Sequence, residues 1–132
     1  MPYSCKVGDS FYLKTDNSNI SHRHVIITSR NNGGNVVLVN FTSFHIKKEC
    51  CVIFYPKDCR DLFEHSTTIA YGRAQLLFGD GLSKFANNNY RYCESHIVNE
   101  IIKGAFLSSE LAPYILEEIK RQYPEIYQKR RT

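Results

Sequence analysis

"HVIITSRNNGGNVVLVNFT" (24–42) holds two β-branched runs separated by a stretch of Asn and Gly. Val, Ile and Thr suit a pleated, half-buried surface. In "HVIITS" (24–29) both faces are apolar, which predicts a strand in the middle of a sheet. "VVLVNFT" (36–42) is the returning strand. Between them "RNNGGN" (30–35) supplies residues that accept the positive φ of a tight hairpin turn. The stretch predicts an antiparallel hairpin, and with it a fold that starts as β structure.

Upstream, "DSFYLKT" (9–15) alternates and predicts a first strand, followed by an Asn/Ser loop at 16–23. Downstream, "CCVIFY" (50–55) predicts a strand ended by Pro56, and 56–66 a connection with one helical turn. "TTIAYGRAQLLF" (67–78) predicts a further strand interrupted at Gly72, where a bulge or barrel bend is expected. Residues 79–92 are Asn-rich and read as loop. The period then changes. Ile97, Val98, Ile101 and Ile102 recur at helical spacing, with Gly104 as a helix end. A second helix opens at "SSELAP" with a Ser cap and carries Leu111, Ile115, Leu116 and Ile119 on one face.

About five strands in hairpins followed by helices predict an α+β fold, a small, strongly bent antiparallel barrel with C-terminal helices packed on it. The 132 residues suffice for one domain with its own core, mainly β over 1–84 and mainly helical over 93–130. With 42% apolar and 23% charged residues and no low-complexity tract, the composition excludes a disordered chain.

Charge says less about partners than its sum suggests. The net +4 arises from 17 basic and 13 acidic residues, but residues 1–119 hold 12 of each, so the excess lies in "KRQYPEIYQKRRT" (120–132). A solvated helix end explains such a run as well as phosphate binding does. Five cysteines, an odd number, with no apolar signal-like core in "MPYSCKVGDSFY", point to reduced thiols in a cytoplasm. "ECCVIFYPKDC" (49–59) lacks zinc spacing, and the acidic residues are too scattered for a carboxylate metal site. No metal or other cofactor is expected. No stretch has the apolar length needed to span a bilayer. "FGDG" (78–81) and "NNGGN" (31–35) lack the pattern of a phosphate-binding loop and read as turns.

Chemistry-bearing residues gather at one end of the predicted hairpin. Pairing 24–29 with 36–42 through the 30–35 turn brings His22, Arg23 and His24 to the end occupied by Thr42 and Ser43. His65 opens the strand that carries Tyr71 and Arg73. Each has an ordinary alternative. A histidine at a strand start is commonly a surface or capping residue. Arg23 could pair with Asp9 or Asp16, and Thr42 and Ser43 could cap a turn. Tyr71 reads as core, with base stacking as its other use.

Four segments, "KVGDSFYL" (6–13), "SHRHVIITS" (21–29), "VVLVNFTS" (36–43) and "HSTTIAYGRAQL" (65–76), stand in an order that resembles the MazF/PemK family of bacterial toxins. "KGAFLSSELAPYILEEIK" (103–120) is similar to that family's closing strand and helix. The resemblance implies an SH3-like barrel, usually a homodimer, that cleaves single-stranded RNA without metal and is silenced by an antitoxin protein. It implies Arg23 and Thr42 as catalytic residues, with Ser43 beside Thr42 as a substrate-binding hydroxyl; the residues themselves add His22, His24 and His65 as acid–base candidates and Tyr71 and Arg73 as substrate-binding candidates. Metal-independent cleavage needs a base for the 2′-OH, an acid for the leaving 5′ oxygen, and donors for the phosphorane charge. Imidazoles suit the first two roles, and guanidinium and hydroxyl groups the third.

The chain departs from the family at His24, where a proline is usual, at the 16–22 loop, which lacks an acidic counterpart, and at 85–100, which reads as an insertion. These departures favour an alternative, a non-catalytic barrel module that binds a protein partner or nucleic acid.

Overall fold

A computed structural model describes residues 4–14 and 21–131. It is an α+β structure, a curled antiparallel half-barrel with helices at its C-terminal end. The elements are β1 (Asp9–Lys14), β2 (Ser21–Ile26), β3 (Asn35–Ser43), β4 (Thr67–Ile69), β5 (Gln75–Phe78), β6 (Arg91–Tyr92), α1 (Ser95–Ala105), α2 (Pro113–Gln122) and α3 (Pro124–Arg131). Strands β4, β3, β2, β1 and β6 lie side by side in that order.

The central hairpin has the expected register. His24 sits opposite Asn40, Val25 opposite Val39 and Ile26 opposite Leu38. Asn31 builds the turn by accepting the backbone N–H groups of Gly33 and Asn35 on its Oδ1, both at 2.9 Å. Gly34 takes a φ of +80°, which a side chain would oppose. Strand β2 starts earlier than its apolar run. Ser21, His22 and Arg23 are already strand, paired with Lys14, Leu13 and Tyr12, where a loop is expected from their polarity. Residues 15–20 lie outside the described residues.

Alternation along β2 and β3 divides the core into two. Val25, Ile27, Val37, Val39 and Phe41 face α1, α2 and the ring pair of Phe54 and Phe63. Ile26, Val36 and Leu38 face the other way, with Phe11, Leu13 and Leu82. Phe54 stacks on Phe63 at 5.0 Å between centroids, and Phe63 meets Phe41 edge-on at 5.3 Å. Such ring pairs add about 0.5–1.5 kcal/mol each beyond their buried area.

Three elements differ from expectation. Residues 50–55 form no strand. Phe54 alone bridges to Thr67, because its ring turns into the core while Val52 accepts the Thr68 hydroxyl at 2.6 Å. The run 67–78 is two strands on the same edge of β3, separated by a 3₁₀ turn at Tyr71–Arg73. The loop 79–92 contains a 3₁₀ segment at Gly79–Phe85 and the short β6, which pairs with β1.

On α1 the expected stripe of Ile97, Val98, Ile101 and Ile102 is buried, with Ala105; on α2 Ile115 and Ile119 are buried and Leu116 half-buried, while Leu111, also buried, precedes the helix. Full burial of each Ile or Val side chain contributes about 1.5–3 kcal/mol. Gly104 does not end α1, which continues to Ala105 with Phe106 as its C-cap. Gly104 is instead a notch: the buried Tyr71 hydroxyl passes over it to the Ile101 carbonyl at 2.6 Å, and a Cβ there would collide with that oxygen. Nor does a serine cap α2. Its N-cap is Ala112, with Pro113 at the first position, while Ser108 and Ser109 both bind Glu49. Gln122 then ties α2 to the end of β2, donating to Ser29 O at 2.9 Å and accepting from Ser29 N at 2.8 Å. Among the described residues no helix is long and apolar enough to cross a membrane.

Candidate functional site

Thr42 and Ser43 are neighbours in sequence but point to opposite faces of β3, as successive strand residues must. They serve two cavities that meet at the strand end. The first, of about 460 Å³, is lined by Tyr12, His22, Arg23, Ser43, Arg60, His65 and others. The second, of about 410 Å³, is lined by His22, Asn40, Thr42, Lys47, Lys48, Arg73 and others. His22 and Thr42 border both.

In the first cavity Ser43 Oγ lies 2.8 Å from His65 Nε2. The edge pairing sets this contact. Ser43 sits opposite Thr67, the Thr67 hydroxyl donates to the His65 carbonyl at 2.8 Å, and Phe44 N donates to Ser66 O at 2.9 Å. The backbone on both sides of the pair is held, and both side chains remain open to solvent.

Arg23 enters the same cavity from β2. Its guanidinium lies 4.6 Å from the centroid of the Tyr12 ring, its cross-strand partner. Its Nη1 donates to Ser10 Oγ at 3.1 Å and to Asn89 O at 3.0 Å. Burial presses the group below its ordinary pKa and the Tyr12 contact opposes that, so it stays charged near neutrality. A guanidinium has five N–H donors, so these two bonds leave capacity for an anion. The contacts that hold Arg23 are this aromatic ring, the Ser10 hydroxyl and a backbone carbonyl, while Asp9 accepts from Lys6 N and the Tyr90 hydroxyl; Asp16, the other acid considered for Arg23, lies outside the described residues. Asn88 and Asn89, within the 85–100 stretch read as an insertion, supply part of the cradle. Asn89, at φ +53°, offers its carbonyl to Arg23, while Asn88 exchanges hydrogen bonds with the Tyr12 backbone.

Two of the eight candidate residues lie elsewhere. His24 is 1% exposed, and its Nδ1 donates to the His22 carbonyl at 2.9 Å. Burial pulls its pKa down to about 4, so the ring is neutral and inside the protein. Tyr71 is also 1% exposed, its hydroxyl bound to Ile101 O and its pKa raised by burial; it is a core residue, not a stacking platform. The 3₁₀ turn separates it from Arg73, which is exposed at the second cavity. Thr42 Oγ1 accepts from Lys48 Nζ at 3.2 Å in that cavity.

Sequence reasoning missed Tyr12, Arg60, Asp61 and Glu64 on the first cavity, and Asn40, Lys47 and Lys48 on the second. Strand alternation places Asn40 on the face of Thr42, so that member was available as a signal. The Lys47–Lys48 pair comes from a loop, and its position depends on Glu49. That carboxylate accepts Ser108 Oγ, Ser109 N and Ser109 Oγ at 2.6, 2.8 and 2.9 Å. Burial alone raises its pKa, but these hydrogen bonds outweigh it and hold the carboxyl below its usual range.

All five cysteines are free thiols. Burial pushes Cys51 up to about 11 and Cys93 up to about 12, so neither is a thiolate nucleophile near neutrality. Among the described residues no group of three or more His, Cys, Asp or Glu side chains is placed to hold a metal ion. Comparison with protein-family models, with curated proteins and with solved structures finds no match to this chain.

Proposed function

We propose that the chain is an endoribonuclease that cleaves single-stranded RNA by attack of a ribose 2′-OH, with Arg23, His22, Ser43 and His65 around the scissile phosphate. The observation that carries the reading is the Ser43–His65 pair in the cavity that also holds the Arg23 guanidinium. With Nε2–H donated to Ser43 Oγ, His65 keeps the Nδ1 lone pair for the 2′-OH proton. O2′ then attacks phosphorus, the P–O5′ bond breaks, and His22 supplies the proton to the departing 5′ oxygen. The products are a 2′,3′-cyclic phosphate and a 5′-hydroxyl. Arg23 and the Thr42 hydroxyl, with Lys48 behind it, donate to the phosphorane oxygens.

The ordered resemblance to the MazF/PemK toxins supports the same chemistry and extends it to a toxin–antitoxin or defence setting, a cytoplasmic location, an antitoxin partner and a homodimer. One observation favours the second reading, a binding module: Arg23 is already engaged by Tyr12, Ser10 and Asn89. Incubation with long single-stranded RNA in EDTA separates the two. The enzyme yields fragments ending in 2′,3′-cyclic phosphate; the module retains RNA or a protein partner uncut.

A further inference from the structure

The second cavity has a feature that phosphate chemistry does not use. Its floor is formed by its two most buried lining residues, Asn40 at 2% exposure and Ile69 at 1%. Asn40 Oδ1 is buried and has no hydrogen-bond partner among the described residues. Leaving a buried amide oxygen unsatisfied is costly, so a ligand that donates to it is favoured at this cavity. The rim is cationic on balance, with Lys47, Lys48 and Arg73 against Glu49 and Glu110. Glu49 is turned to the α1–α2 linker by its bonds from Ser108 and Ser109, which leaves Glu110, beside Gly72, as the rim's other acceptor.

We propose that this cavity is a nucleotide subsite that takes a base whose amino group stands at C6 of a purine or C4 of a pyrimidine, adenine or cytosine, with the neighbouring phosphate held by Lys47, Lys48 and Arg73. The proposal rests on the ribonuclease reading for its choice of RNA as ligand. An amide oxygen and a carboxylate are both acceptors, and they match an amino group. Uracil offers a carbonyl at that position and would leave Asn40 Oδ1 unpaired. Apolar Ile69 beside the amide gives the base a dry surface, and a cavity of about 410 Å³ suits a small ligand. His22 and Thr42 border both cavities, so a base seated here lies next to the phosphate position at Arg23 and His65.

The test uses 2′-O-methyl hexamers of A, C and U, which lack the attacking hydroxyl and so report binding alone. Fluorescence anisotropy is expected to show A and C hexamers bound about tenfold more tightly than U. Asn40→Leu levels the three, and Lys48→Ala weakens all three while preserving their order. Because Asn40 is buried, NMR of the wild-type protein provides a second readout: its side-chain amide resonances move with the C hexamer and stay in place with U. Equal binding of U in the wild type, a preference that survives in a folded Asn40→Leu, or an unmoved amide overturns the proposal. Cleavage of unmodified RNA is followed in parallel. Cleavage without base preference removes this subsite and leaves the ribonuclease; preference without cleavage keeps the subsite and removes the ribonuclease.

Discussion

Ser43 Oγ and His65 Nε2 stand 2.8 Å apart across the paired ends of β3 and β4, in a cavity that both share with Arg23. A positioned imidazole contributes about a hundred- to ten-thousand-fold in a general acid–base step. His65→Ala is therefore expected to lower the cleavage rate within that range, with an unchanged circular dichroism spectrum because the side chain is exposed. Ser43→Ala removes only the orienting partner and costs less. Single-turnover rates on one labelled RNA measure both.

Arg23 binds through shape as well as charge. A lysine at this position keeps the charge but loses the planar contact with Tyr12 and the fork that reaches Ser10 and Asn89. Arg23→Lys is expected to retain less than a tenth of wild-type cleavage, an order-of-magnitude figure from the value of a hydrogen bond to a charged group. A variant with near wild-type rate would show that the guanidinium geometry is not used.

Gly104 reverses a common rule. Replacing glycine by alanine inside a helix usually gains about 1 kcal/mol. Here the added methyl meets the Tyr71 hydroxyl, which sits in the notch to reach Ile101 O. Gly104→Ala should destabilise the fold in urea melts. Tyr71→Phe should cost only about 0.5–1.5 kcal/mol, the net worth of one hydrogen bond.

Much of this was legible from residue order. The 24–42 hairpin, the end at which Arg23 meets Thr42, and the apolar stripes of α1 and α2 all follow from periodicity and turn chemistry. What escaped was set by distant contacts. Cys50–Tyr55 has strand composition, but Phe54 is drawn into the Phe41–Phe63 cluster and only one bridge forms. Ser108 looks like the cap of α2, and its Oγ does accept from Glu110 N and Leu111 N while donating to Glu49, but that turn belongs to the linker and the helix starts later, at Ala112 and Pro113. His22 and His24 look equivalent in "SHRH" and share one face of β2, yet His24 lies where β3 pairs alongside, opposite Asn40, and is buried, while His22 stands half-buried at the strand's open end.

The buried His24 also links stability to pH. Its folded pKa of about 4 lies below the ordinary imidazole value of 6.5, so between these values the unfolded chain binds more protons. Its contribution to stability is complete above pH 6.5, declines as pH falls and is lost below about 4. The full effect is about 3 kcal/mol, from 1.36 kcal/mol per pKa unit. Urea melts from pH 7 to 4 should show this slope in the wild type and a flatter one in His24→Gln.

Whether this cavity cuts RNA is decided most directly by a metal-free cleavage assay. Purified protein and its His65→Ala variant are incubated with long single-stranded RNA in EDTA. Discrete fragments with 2′,3′-cyclic phosphate ends are expected from the wild type and almost none from the variant. Intact RNA with folded wild-type protein, or equal cutting by His65→Ala, would contradict the ribonuclease reading.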